Sequence, residues 1–370
     1  MEADLVSVDG TKAVFKLANG KEVALDIERF ADADQKVIRN WKPKTGDGTP
    51  PPDAAGTDDA PNFDAAWPKK VTFKEDPEIS TVEEDKDEKR FVYESANYRF
   101  ICDVRLSQSV VKGFAIMFEA THLYCRELPL GLARGLETKG KHQILLFETK
   151  EDYIKAGGPP SSAGVFMGGR GVVMVPLTSL GVRPVGSGYM LDRDKASGTL
   201  IHEITHQLTP PVYFESGARG WFSEGIAEYL TATPYRAGNF KVASNFDDIR
   251  AYAVGYGKDD TRGRALGESV KMPALKTFFL MDYEDFAGPR ANFNYGMGLV
   301  LTTYFLHLDG EGDGARMKKF LAALHAGKTG QKALDVLLDG RSYAEVEESI
   351  AKSWKRKGLE IEFEDSSEAD

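Results

Sequence analysis

Cysteine is nearly absent: Cys102 and Cys125 are the only two in 370 residues. Two thiols cannot build a disulfide scaffold or a cysteine-based metal site, so metal chemistry would have to come from other side chains. They either pair with each other or sit apart as buried thiols, and the sequence leaves both readings open. Histidine is scarce as well, at six residues. Basic residues are outnumbered, 47 Lys and Arg against 57 Asp and Glu, for a net charge of −10. Phosphate backbones select for basic faces, so this balance argues against a nucleic-acid partner. No apolar run approaches the ~20 residues of a membrane-spanning helix. The start lacks a charged-then-apolar leader, as in a cytoplasmic protein or a secreted or periplasmic one whose signal peptide has been removed. P-loops, dinucleotide fingerprints, nucleophile elbows and internal repeats are all missing. The Gly-rich stretch Gly164 to Gly171 has no Lys-Ser or Lys-Thr after it, which excludes the usual phosphate cradle.

What is present divides unevenly along the chain. In residues 1–42, short apolar stretches are separated by Asp9-Gly10 and Asn19-Gly20, dipeptides suited to tight hairpin turns. Three antiparallel strands follow, then a short helix opened by Asp32 and Gln35 and ending near Trp41, together suggesting a small SH3-like β-barrel. Residues 43–70 are rich in Pro, Gly, Ala and Asp and read as a flexible linker. The charged run Glu83 to Arg90 reads as a solvated loop.

From residue 71 to 360 the pattern is mixed α/β with a mostly helical second half. Strands are expected at Phe91 to Val104, His142 to Phe147 and Val172 to Val175, and a long helix at Ser107 to Glu127. Further helices are expected at Asp194 to Leu208, Trp221 to Thr233, Leu299 to Leu308 and Met317 to His325. Residues 361–370 form an acidic tail expected to fray.

The chemistry concentrates in His202-Glu203-Ile204-Thr205-His206. On a helix, residues four apart share a face, so both imidazoles can reach one metal ion. Glu203 lies about 100° round from His202, close enough to address a water on that metal without ligating it. Zinc brings the pKa of such a water towards ~7, and a carboxylate can then take its proton. The bland reading is a pair of buried helical histidines satisfied by their neighbours.

Seventeen residues separate His206 from Glu224, which lies within Trp221-Phe222-Ser223-Glu224-Gly225-Ile226-Ala227-Glu228-Tyr229. His202, His206 and Glu224 make a His2Glu ligand set for Zn2+, with a fourth position open. Glu228 is one turn further on the same face and suits the spare N–H of His202, fixing its tautomer. A solvated helix carboxylate is the alternative for Glu228.

HEITH followed by WFSEGIAEY resembles the gluzincin metallopeptidases, above all bacterial gluzincin-like domains carrying a W-x-x-E-G-x-A-E-Y motif. A more distant likeness is to the aminopeptidase N and leukotriene A hydrolase family. The resemblance implies a zincin-like α/β catalytic domain, His202, His206 and Glu224 as ligands, and Glu203 as general base and proton shuttle. It also implies that Tyr295, heading Tyr295-Gly296-Met297-Gly298, donates to the oxyanion; Tyr229, Tyr256 and Arg290 are weaker substitutes. The Gly-x-Met-Glu-Asn strand that holds a free amino terminus in the aminopeptidases has no equivalent, since Phe166-Met167-Gly168-Gly169 matches only superficially. That shifts the expectation towards an endopeptidase. Val172 to Val175 is then a candidate edge strand for an extended substrate, or else an ordinary sheet strand. Residues 1–42 resemble the SLA-homology type domain, an SH3-like fold that binds short peptides, which implies a peptide or surface ligand for this module.

The expectation is therefore a zinc metallopeptidase acting on a peptide or protein substrate. Its rivals are a peptide-binding or cell-surface adaptor with a structural zinc, and a zinc hydrolase of a non-peptide substrate. His122, His142, His307 and His325 show no ligand spacing and read as packing residues, although His307 shares the helix begun by Tyr295.

Overall fold

A computed structural model of the chain describes residues 3–9, 12–17, 22–27, 61–135, 140–192, 198–255 and 263–364. Two compact units divide it, Met1–Asp59 and Ala60–Asp370. In the first, β1 (Ala3–Asp9), β2 (Lys12–Leu17) and β3 (Glu22–Asp26) pair antiparallel in the order β1-β2-β3. The expected SH3-like barrel is not there: β1 and β3 are the edges of an open sheet, and no described strand joins them. Closure requires every strand to have two neighbours, which three strands in a meander do not supply. The helix expected from Asp32 to Trp41 and residues 43–60 of the expected linker lie outside the described residues.

The second unit opens with residues 61–70, which composition assigns to the linker but which are fastened to the body. Asn62 Nδ2 donates to the carbonyls of Arg126 and Leu128, its Oδ1 accepts from Gly131 N, and Trp67 Nε1 donates to Asp313 O. β4 (Val71–Thr72) follows, and then a six-stranded mixed sheet. Its strands are β5 (Ser80–Asp85), β6 (Arg90–Glu94), β7 (Tyr98–Cys102), β8 (His142–Phe147), β9 (Val165–Met167) and β10 (Val172–Pro176). Their order is β5-β6-β7-β8-β10-β9, with β7, β8 and β10 parallel and β9 antiparallel to β10.

Three expectations change here. The single strand from Phe91 to Val104 is a hairpin, because Ser95-Ala96-Asn97 interrupts it and β6 pairs back on β7. Glu83 to Asp85 of the expected solvated loop belong to β5. Residues Val172 to Val175 do not form an edge: β10 lies between β8 and β9 and is buried throughout. Its unbroken apolar run is that of a strand covered on both faces. Val173 and Val175 join the main core while Val172 and Met174 pack with Tyr153 on the opposite face. The free edge belongs to β9.

Helix α1 (Gln108–Glu127) lays Phe114 and Phe118 on Phe100 of β7, and α2 (Lys150–Lys155) brings Tyr153 to the other face. After the hairpin of β11 (Val182–Val185) and β12 (Gly188–Leu191) come α3 (Gly198–Leu208) and α4 (Trp221–Ala232). β13 (Tyr235–Arg236) and β14 (Asn239–Phe240) join β4 in a small sheet. The rest is helix-rich, as its sequence indicates: α5 (Phe246–Val254), then α6 (Leu275–Phe279) and α7 (Tyr283–Phe286) after β15 (Ser269–Met272), then α8 (Ala291–His307), α9 (Ala315–His325), α10 (Gly330–Leu338) and α11 (Tyr343–Lys355). β16 (Glu360–Phe363) pairs in parallel with β15 and buries Ile361, so the stretch expected to fray begins as a strand. Residues 365–370 lie outside the described residues. Cys102 and Cys125 are both free and buried, and burial pushes the Cys102 thiol up to about 12.

The contact that positions the site is α4 against α8. A Cβ on Gly225 would fall 2.4 Å from Gly298 O and 2.3 Å from Thr302 Oγ1, so the two helices meet backbone to backbone at that level. Trp221, one turn earlier, fills the space beside them against Phe279, Phe305 and Phe320. The glycine after Glu224 is thus a packing requirement of the helix that carries it. Gly225→Ala is expected to destabilise the protein by about 1–3 kcal/mol, the usual range for overpacking, measured as a lowered denaturation midpoint with unchanged slope.

Candidate metal centre

The apolar residues Leu200, Ile201, Ile204 and Leu208 recur with helical spacing and bury one face of α3 in the core. That packing fixes the helix so that His202 and His206, one turn apart, point the same way with their rings 4.6 Å apart. Both are buried.

Helix α4 starts at a sharp reversal. Gly220 has φ +83°, a conformation open to glycine, and its N–H is taken by Ser223 Oγ at 3.0 Å. Trp221 Nε1 donates to Gly217 O at 2.7 Å and pins the first turn. The helix so begun turns Glu224 towards α3.

Three electron-rich atoms then converge. His202 Nε2 and His206 Nε2 are 3.0 Å apart, and Glu224 Oε2 lies 3.2 and 3.1 Å from them respectively. Ligands of a tetrahedral ion with bonds of about 2.0 Å stand about 3.3 Å apart, so the spacing fits one zinc-sized cation. No other group of three such side chains among the described residues meets this way. The tautomer of His202 strengthens the point. Its Nδ1 donates to Glu228 Oε1 at 2.8 Å, which leaves the Nε2 lone pair facing the Glu224 carboxylate. Two buried acceptors face to face need a cation between them, or a proton. In the metal-free protein the proton supplies it: burial works against the charged imidazole, but Glu224 and Glu228 overcome it and hold the His202 pKa above its usual value. A buried His-His-Glu cluster of metal-binding geometry is therefore present.

Glu228 is fully buried and gripped from its other side. Arg264 Nε donates to Oε2 at 2.7 Å and Nη2 donates to Oε1. Burial alone would raise the Glu228 pKa, yet Arg264 and His202 hold it well below the usual carboxylate range.

Glu203 is not one of the cluster of three; its Oε2 accepts from Phe166 N on β9 at 2.7 Å. Burial raises its pKa, opposed by His202 and His206. Glu203 lines the same cavity as the cluster, about 560 Å³ in volume, whose walls include Val165 and Phe166 of β9, Phe214, Arg219, Tyr283 and Tyr295. Tyr295 lies there with its ring 6.1 Å from that of His202, and burial raises its phenol to about 12. Tyr283 Oη donates to Glu224 Oε1 at 2.8 Å.

All six predicted side chains thus meet in one place, while the substitutes Tyr229 and Arg290 do not. Tyr229 is buried with its hydroxyl on His307 Nε2 at 2.8 Å, Arg290 lies over the Phe293 ring, and Tyr256 lies outside the described residues. His307 also meets the Trp67 ring, His122 and His142 pack around Tyr98, and His325 bonds Tyr213. Sequence reasoning missed Tyr283, Arg264 and the Phe166 amide. Tyr283 and Arg264 sit on separate segments at no motif spacing, and a backbone amide has no residue signature.

No protein-family model matches the chain, and no curated protein matches it. The likeness to the gluzincin peptidases and to the SLA-homology domain is not carried by any match, and the open three-stranded sheet removes the second outright. What stands is the geometry of the side chains.

Because Glu228 is held ionised below the ordinary carboxylate range, it contributes stability above pH ~4.5 that is lost as pH falls through its lowered native value. In chelator-treated protein, Glu228→Gln is therefore expected to be less stable than the parent at pH 6. The gap should narrow steadily as pH drops below about 4.5, followed by chemical denaturation at each pH; a gap independent of pH contradicts the assignment.

Proposed function

We propose that the protein is a zinc-dependent hydrolase that cleaves peptide bonds, an endopeptidase rather than an aminopeptidase. One observation carries this reading: Glu203 faces the same cavity as His202, His206 and Glu224 but stands apart from their shared point. A purely structural metal has no use for a buried carboxylate in its cavity that is not part of the cluster, whereas hydrolysis needs a base there.

Zinc held by His202, His206 and Glu224 would supply a Lewis acid that polarises a carbonyl and acidifies a water. Glu203, its carboxyl raised by burial, is suited to take the proton of the attacking water and return it to the leaving amine. The Phe166 N–H holds the Glu203 carboxylate in place while it does so. Tyr295, with a free choice of acceptor once substrate enters, donates to the oxygen on which charge develops. Tyr283 holds the Oε1 of Glu224 and so leaves its Oε2 towards the two histidines.

Support for a peptide substrate comes from β9. β9 ends the sheet with β10 as its one partner among the described strands, and its residues Val165 and Phe166 line the cavity. An extended backbone can add to such an edge, with main-chain hydrogen bonds giving affinity. A cavity open along a strand edge suits a chain passing through it better than a terminus lodged in it.

Digestion of an unbiased peptide library by the zinc-loaded protein tests the proposal. Internal cleavage is expected, abolished by chelation and restored by zinc. Glu203→Gln should keep stoichiometric zinc yet lose about a hundredfold to ten-thousandfold in kcat, the span of general acid–base catalysis. Zinc binding without turnover of any peptide would reduce the site to a structural one, and turnover of esters alone would redirect the substrate class.

A further inference from the structure

Arg264 lies on neither motif helix, yet it touches the centre from two sides. Its guanidinium makes a two-pronged contact with Glu228, whose Oε1 accepts the His202 Nδ1 proton at 2.8 Å. The same group lies over the Tyr295 ring, 5.1 Å from its centroid. Its own segment is tied down by Asn292 Nδ2 donating to Arg264 O at 2.7 Å, with Arg264 Nη1 returning a bond to Asn292 Oδ1 at 3.3 Å. Gly296 makes room for this approach: a Cβ there would stand 2.9 Å from Arg264 Cβ and from a Leu266 methyl. The glycine following Tyr295 thus lets the arginine segment lie directly on α8.

We infer that Arg264 is a positioning residue that fixes His202 through Glu228 and Tyr295 through its ring face, coupling a metal ligand on α3 to the oxyanion donor on α8. This rests on the metal-centre reading above. Without the guanidinium, Glu228 is a buried carboxylate with His202 as its remaining partner, and it is free to rotate or to draw in water. Either change releases the imidazole ring from its orientation. A lysine keeps the charge but has no planar fork, so it cannot hold both carboxylate oxygens at once. Tyr295 loses its cation at the same moment, so the effect reaches the tyrosine and the histidine together.

The side chain of Arg264 is 21% exposed, so a site emptied by truncation is open to a small cation from solvent. The test uses the full-length protein, zinc chloride and a competing chromophoric chelator. Arg264→Ala is expected to bind zinc about 10–100-fold more weakly than the parent, the loss typical of groups that orient a ligand. Millimolar guanidinium chloride should restore much of that affinity, while the same concentration of ammonium chloride should not. Arg264→Lys should fall between parent and Arg264→Ala, with near-ultraviolet circular dichroism unchanged. Where peptide turnover is measurable, kcat should fall further than KM rises, since Tyr295 acts only as charge develops.

Unchanged zinc affinity in Arg264→Ala overturns the inference while leaving the metal centre standing. So does a loss that neither guanidinium nor Arg264→Lys relieves, since that marks a general packing role. A parent protein that binds no zinc at all refutes the metal centre itself, a different failure read in the same titration.

Discussion

Three acceptor atoms forced together inside a protein repel one another, and the second unit is organised around holding them there. His202 Nε2, His206 Nε2 and Glu224 Oε2 lie within hydrogen-bonding distance of each other, buried from water. In water such groups would drift apart and hydrate separately. Here they cannot, because the helices that bear them are locked by apolar contacts unrelated to the site. The Leu200 and Ile204 face anchors α3, and the Gly225 to Gly298 contact anchors α4. The free energy of core packing is what keeps the cluster in place, with a proton on His202 or a cation needed to balance it.

Charged and phenolic partners around the three side chains keep that cluster balanced. Glu224 and Glu228 bring two buried carboxylates within one helical turn, which is unfavourable unless each is matched. Glu224 is matched by the histidines and by Tyr283, Glu228 by His202 and Arg264. The matches come from three separate parts of the chain, so a defect in any one exposes an unpaired charge in a region of low dielectric. The proposed chemistry draws on the same economy. Glu203 is the carboxylate left with the lightest engagement, a single backbone N–H, and is therefore the one available to move a proton.

Much of this was legible beforehand. The four-residue spacing of His202 and His206 makes sense only on a helix, and the helix is there. Glu224 and Glu228 were readable because they, too, repeat at one turn within an apolar segment whose start and end are marked. The helix-rich second half and the strands of the first unit follow from composition and turn chemistry. The errors share a cause. Barrel closure, the swap of β10 from edge to interior, and the docking of Asn62 and Trp67 all depend on which distant segments meet. A local pattern carries no record of that.

The sequence by itself determined which side chains are candidates for the cluster and their order, since HExxH and the later E-G-x-A-E place them on two helix faces by the helical repeat alone. Only the tertiary structure decided that these faces point at one another, that β9 rather than β10 offers a free edge, and that Tyr283 and Arg264 close the shell. The physical reason is range. Backbone geometry relates side chains within a few turns, whereas contacts between Glu228 and Arg264, or Glu224 and Tyr283, are set by how whole helices pack.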